Sequence, residues 1–171
     1  ALLGPNAAIY GDHVELTQVE FKNTLHELDK GQDFASELGV GAVLGTKFTW
    51  PAYGPKLKDV ELTPAKNAHW KKWVGLYKEK MLSKGTFLNL YTYGYDFPEA
   101  YAIEKDGNMY YAFYTGRGKP WSGEVELRGL KPGRYQLTDY ENGKPMGSVD
   151  SQNPKIPVSF SEHLLLEARP L

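Results

Sequence analysis

The sequence predicts an α/β plus all-β chain: the closing stretch of a larger α/β unit over residues 1–85, then an antiparallel β-sandwich over residues 86–171. Three observations lead there. The apolar pattern follows a period near 3.6 in residues 63–84 and a period of two after Gly85. Nine of the 12 tyrosines lie between Tyr91 and Tyr140, and aromatic side chains favour pleated, half-buried surfaces. Turn signals recur at short intervals in the second part, at residues 105–108 (KDGN), 131–133 (KPG) and 141–144 (ENGK).

In residues 7–16 (AAIYGDHVEL) a short apolar entry gives way to polar residues around Asp12 and His13, as expected where a buried strand runs out into a loop. Residues 20–28 and 33–38 read as short helical pieces, and Gly39, Gly41 and Gly45 interrupt the chain beyond the second. Residues 40–48 (VGAVLGTKF) read as a further buried strand or turn. The firmest helix is 63–84. Thr63 suits the N-cap, Pro64 the first helical position, and Gly85 the C-terminal cap. Trp70, Trp73, Val74, Tyr77 and Met81 form its apolar face, with lysines mostly opposite.

Eight strands are expected after Gly85: 87–95, 100–104, 109–115, 123–128, 134–140, 146–149, 156–160 and 163–168. Their number and spacing suit a two-layer sandwich able to close its own core. Residues 1–85 offer about two strands and three helices, too few to cover an α/β sheet on both faces. They are expected to be the tail of a larger domain, with Ala1 a fragment boundary. Ile9, Val14, Val40, Val43 and Leu44 should then lie on an open apolar surface or against another copy or chain.

Charge excludes several functions. Twenty Lys and Arg against 21 Asp and Glu leave a net charge of -1, and neither part hides a basic tail, so nucleic acid is not an expected partner. No run approaches the roughly 18 apolar residues of a membrane span, and no membrane partner is expected. The first residues lack the basic and apolar regions of a signal peptide. Without cysteine there is no disulfide or thiolate chemistry.

The strings YGDHVELT at 10–17 and DFASELGVGAVLGTKFTWP at 33–51 resemble the last part of the catalytic barrel of family-36 glycoside hydrolases, the α-galactosidase-like enzymes of clan D. WVGLYKEKMLSKGTFLNL at 73–90 resembles that family's final barrel helix, and GLKPGRYQLTDYENG and LLLEARP resemble its C-terminal sandwich. The resemblance implies that residues 1–85 end a (β/α)8 barrel and that the sandwich is a structural accessory domain. It implies an α-galactoside or related carbohydrate as substrate, the rest of the barrel as partner, and no cofactor. The family retains configuration with two aspartates, a nucleophile and an acid/base, whose carboxyls must stand about 5 Å apart. The family's K-x-D nucleophile motif has no counterpart in this sequence, and the acid/base aspartate is expected just before Ala1. Whether this chain is itself an enzyme stays open on that reading.

Asp12, His13 and Glu15 form the densest titratable cluster at an expected strand end, where barrel enzymes place their chemistry. Asp12 and His13 are substrate-proximal candidates, although neighbours on a strand point to opposite faces. The alternative is a polar strand end that orients a loop. No metal is expected, because His26, His69 and His163 lack ligand spacing to the cluster. Trp50 and Trp121, each beside a proline in an expected loop, are candidates for sugar contact; Trp50 better suits a plug at the barrel's end.

Tyr91, Tyr93 and Tyr95 alternate as if on one strand face, with Tyr110, Tyr111 and Tyr114 as further members. Such a face suits either a carbohydrate-binding module with an aromatic platform or cross-strand packing. Solvent exposure of the first three separates the two. Gly39, Gly41 and Gly45 miss the dinucleotide fingerprint by one residue and suit close packing instead. Lys66, Lys71, Lys72, Lys78, Lys80 and Lys84 read as a solvated helix face.

Overall fold

The computed structural model of the chain describes residues 9–10, 14–15, 32–47, 64–115 and 119–171. The expected helix at 20–28 and the capping residue Thr63 lie outside them. In the first part, strands β1 (Ile9–Tyr10) and β2 (Val14–Glu15) are followed by helix α1 (Gln32–Gly39) and strands β3 (Ala42–Val43) and β4 (Thr46–Lys47). β1 pairs parallel with β3, Ile9 opposite Ala42, and β2 parallel with β4, Val14 opposite Thr46. Parallel neighbours require a crossover connection, and α1 lies within it.

Helix α2 (Pro64–Lys80) begins at the proline whose missing N–H costs nothing there. It stops short of the expected Lys84. Met81 takes a left-handed φ of 45°, and the chain continues as a 3-10 turn over Leu82–Lys84. That bend carries Leu82 into the core, where it is buried. Gly85, in extended backbone, therefore caps the 3-10 turn through its N–H to the Leu82 carbonyl at 2.9 Å rather than capping α2.

The second part is antiparallel. β5 (Thr86–Leu88), β6 (Glu99–Lys105), β7 (Asn108–Tyr114), β9 (Arg134–Asp139), β10 (Lys144–Asp150) and β12 (His163–Pro170) form one sheet in the order β10-β9-β12-β7-β6-β5. β8 (Pro120–Glu126) and β11 (Lys155–Ser161) form a second sheet. Seven expected strands recur with shifted ends; the first, 87–95, shrinks to β5. Beyond it the Asp96 carboxylate accepts the Thr92 N–H at 2.6 Å, and the Tyr95 and Asp96 amides bond the Thr92 carbonyl, so a side-chain-capped turn replaces the ladder. Trp121 lies on β8 rather than in a loop, its ring 5.8 Å from that of Phe160 on the paired strand.

The expected sandwich is present, and the central strands of its larger sheet, β6, β7 and β12, are in addition buried on their second face by the helices. From β7, Met109, Tyr111 and Phe113 join Val125, Ile156 and Val158 of the smaller sheet in the sandwich core. Tyr110, Ala112 and Tyr114, offset by one residue, meet Phe34 and Leu38 of α1 and Trp73 of α2. The period of two thus feeds two cores. The result is three layers: helices, a six-stranded sheet and a two-stranded sheet.

Candidate functional site

Asp12, His13 and Trp50 lie outside the described residues, and of Glu15 only the backbone pairing with Lys47 is described. Val40, Val43 and Leu44 are half-buried, and Leu44 packs on the helix-facing core. The side chains of Ile9 and Val14 lie outside the description. Among the described residues no three His, Asp or Glu side chains are placed to hold a metal ion.

Two places gather chemistry-bearing side chains. The first is the seam between helices and sheet. Phe34 stacks parallel on Trp73 with centroids 6.1 Å apart, and His69 and His163 meet the Trp73 ring edge-on. Glu141 accepts from Lys72 at 2.9 Å and lies 2.6 Å from Nε2 of His163. Burial opposes ionisation of Glu141, yet the His163 hydrogen bond and Lys72 hold its carboxyl below the ordinary value. Burial also lowers the pKa of His69, with Lys72 adding to the effect.

Lys80 pairs with Glu167 of β12 at 2.8 Å and with Glu79 at 3.1 Å; burial works against its charge, but these carboxylates outweigh it and raise its pKa. Lys80, half-buried, therefore ties α2 to β12, a correction to the solvated face; Lys72 pairs with Glu141 in the turn after β9 while staying exposed, as Lys71, Lys78 and Lys84 are, and the Lys66 side chain lies outside the description. Gly39 and Gly41 serve close packing. A Cβ on Gly39 would come within 2.7 Å of the Ala112 Cβ, and Gly41, at φ +73°, would bring one within 2.7 Å of Ile103 Cδ1. Most of the charged groups here join layers, while His69 Nε2, Trp73 Nε1 and His163 Nδ1 are buried without a hydrogen-bond partner among the described residues.

The second place is a cleft of about 230 Å³ at the edge of the sandwich, below the loop that follows β5. Its floor is apolar, from Pro98, Ala100, Phe113 and Val125, and its rim carries Asp96, Glu124, Glu126, Arg128 and Lys155. Arg128 forms a two-pronged pair with Asp96 at 2.9 and 3.1 Å and donates to the Leu90 carbonyl at 3.0 Å. Its guanidinium lies 4.9 Å from the centre of the Tyr91 ring. Tyr91 donates to the Glu126 carbonyl at 2.6 Å and accepts the Arg128 amide at 3.1 Å. Arg128 holds the Asp96 carboxyl below its ordinary value, and burial pushes the Tyr91 phenol up.

This geometry divides the tyrosines between cross-strand packing, one of the two expected readings and the one most of them follow, and exposure. Tyr91 is half-buried and meets Tyr111 and Phe113 edge-on, Tyr111 belongs to the sandwich core, and Tyr110 and Tyr114 face the helices. Tyr93 and Tyr95, in the turn, are 79% and 90% exposed, and Phe97 beside them is 71% exposed. Phe97, Asp96 and Arg128 were missed in sequence. The partners Asp96 and Arg128 stand 32 positions apart, beyond any local pattern.

No protein-family model matches the chain. In sequence it is 33% identical over 142 residues to the A type blood alpha-D-galactosamine galactosaminidase of Flavonifractor plautii, a match that covers 79% of this chain and 12% of that protein. The chain thus spans about an eighth of that relative's length. In structure it is similar to α-galactosidase I from Mortierella vinacea, with a TM-score of 0.53 and 7% identity over 90% of this chain and 38% of that one. An Anoxybacillus α-amylase gives a TM-score of 0.60 at 12% identity, over 92% of this chain and 37% of that one. The chain therefore has a fold found as a part of glycoside hydrolases, α-galactosidase-like ones among them, and a protein it resembles in sequence is a galactosaminidase. Fold likeness across an α-galactosidase and an α-amylase does not choose the sugar.

Proposed function

We propose that this chain is the C-terminal portion of an α-galactosidase-like, family-36 retaining glycoside hydrolase acting on α-galactosides or their 2-amino relatives. In this reading residues 1–85 end its catalytic (β/α)8 barrel and residues 86–171 are its structural sandwich. The observation that carries the reading is the 142-residue match to the galactosaminidase, which is longer than either part of this chain and so runs through both. The parallel pairing of β1 with β3 around α1 supports it as well, because successive barrel strands pair in that way. The catalytic carboxylates, on this reading, come from elsewhere in the polypeptide, and the substrate-proximal candidates here are Asp12, His13 and Trp50.

A free-standing carbohydrate-binding module is the second reading, favoured by the exposure of Tyr93 and Tyr95. Against it stands the helix-covered sheet, whose Tyr110, Ala112 and Leu165 would meet water if the sandwich stood alone. The test is release of the aryl group from aryl α-galactoside and aryl α-galactosaminide. The 171-residue chain should release none and the longer polypeptide that carries it should turn over one or both. Turnover by the 171-residue chain that disappears in Asp12→Asn would make Asp12 catalytic and overturn the reading.

A further inference from the structure

We propose that the cleft under the 89–98 loop is a carbohydrate subsite, in which the Phe97 ring takes the C–H face of one pyranose unit of a neutral galactose-bearing glycan. Tyr95 extends the contact along the same loop. The subsite itself stands on geometry; the choice of galactose among pyranoses rests on the hydrolase reading.

Four features of the cleft converge on that ligand. Its volume, about 230 Å³, suits one sugar ring and is too narrow for a helix or a strand pair. The exposed Phe97 ring gives it an apolar wall while the rest of its rim is polar, the division that a pyranose presents between its C–H face and its hydroxyl edge. In galactose the axial 4-hydroxyl leaves C3–H, C4–H and C5–H together on one side, a patch matched to an aromatic ring.

The rim charges are already paired within the chain: Arg128 with Asp96 at 2.9 Å and Glu126 at 3.3 Å, and Lys155 with Glu124 at 3.9 Å. An anion would find no unopposed cation here. A neutral polyol can instead donate its hydroxyl protons to the carboxylates and accept from the guanidinium and ammonium groups without breaking the balance.

The aromatic rings are held ready. The loop is fixed by the Thr92 amide on Asp96, by Asp96 on Arg128, by Arg128 on the Leu90 carbonyl and by Tyr91 on the Glu126 carbonyl. Pro98 is buried next to the exposed Phe97. Ordering that is already present in the unbound protein is not charged against binding. Phe97, which lines the cleft, and Tyr95, two residues before it, are left 71% and 90% exposed on a loop so fixed, as large apolar side chains are where they meet a ligand.

The experiment is saturation-transfer NMR on the 171-residue chain with an α-galactosyl trisaccharide and, in parallel, a gluco-configured trisaccharide. The expected result is binding with a Kd on the order of 1 mM, as for one buried sugar unit. Saturation should be strongest on H3, H4 and H5 of the galactose, and affinity should fall about tenfold in Phe97→Ala and severalfold in Tyr95→Ala. Both side chains are mainly exposed, so unchanged circular dichroism should accompany the loss, and Tyr95→Ala serves if Phe97→Ala folds poorly.

No saturation of either sugar at about twenty times that concentration would overturn the proposal. So would saturation that survives both substitutions, or variants that leave sugar contact unchanged and lower the melting temperature of the longer polypeptide, which would assign the rings to an interdomain contact. Equal binding of the gluco-configured sugar would overturn the galactose assignment. Aryl galactoside hydrolysis is read separately: failed hydrolysis leaves the binding result standing, and failed binding leaves the hydrolase reading standing.

Discussion

The Tyr114 hydroxyl donates to the Ala35 carbonyl at 2.8 Å and so joins strand β7 to helix α1 across 79 positions of sequence. Ala35 is fully buried, the Tyr114 phenol is driven well above its ordinary pKa by burial, and the bond crosses the seam between the helical layer and the sheet. Tyr114→Phe would leave a helix carbonyl without its partner and should destabilise the chain by about 1–2 kcal/mol in urea unfolding. Gly39→Ala, which forces a methyl against the Ala112 and Leu165 side chains, should cost about 1–3 kcal/mol by overpacking the same contact.

Trp73 is 1% exposed and is the largest fully buried side chain of the seam. Trp73→Ala should destabilise by about 3–5 kcal/mol. Hydrogen exchange locates the effect: amides of α1 and α2 should lose protection before those of β7 and β12, because the sandwich core around Tyr111 and Leu166 does not contain the deleted ring.

Glu141 gives the seam a pH dependence. Its carboxyl sits below the ordinary 4.5 in the folded chain, so its stabilising contribution is fully present above that value and is lost as pH falls through the lower folded pKa. Glu141→Gln, which weakens the contacts to His163 and Lys72, should cost about 1–3 kcal/mol at pH 7. The gap between the two proteins should close once the pH is below both carboxyl pKa values. A gap that widens in acid would mean that Glu141 is not held ionised by these partners.

Much of this architecture is legible in sequence because periodicity is local. Seven strands of the second part and the start of α2 at Pro64 follow from apolar spacing and turn chemistry. The two-sided burial of β7 was also written there: MYYAFY at 109–114 is an unbroken apolar run, as a strand covered on both faces requires, although its tyrosines also read as additions to a platform. The end of α2 was hidden, since Gly85 offered a conventional cap while Met81 makes the left-handed turn that sinks Leu82 into the core. Lys80 with Glu167 and Asp96 with Arg128 depend on tertiary neighbours 87 and 32 positions away, and no local pattern announces them.

Asp96 holds the aromatic loop through both Thr92 and Arg128. Asp96→Ala should loosen it with little change in overall melting. A protease specific for aromatic residues should then cleave after Tyr93 and Tyr95 faster than in the parent chain. The same gain in cleavage should appear in the unmutated chain only below the ordinary carboxylate range, because Arg128 and the Thr92 amide hold the Asp96 carboxyl low.

Residues 86–171 produced without residues 1–85 test whether sandwich and helices are one cooperative body. Without α1 and α2, Ile103, Tyr110, Ala112 and Leu165 lose the layer that covers them. The measurement is thermal unfolding with dye binding to exposed apolar surface, alongside the 171-residue chain. A shared core predicts strong dye binding, association in solution and loss of the sharp transition for the shorter piece. A monomeric piece that binds no dye and melts at the temperature of the whole chain would contradict it, and would make the sandwich a module in its own right.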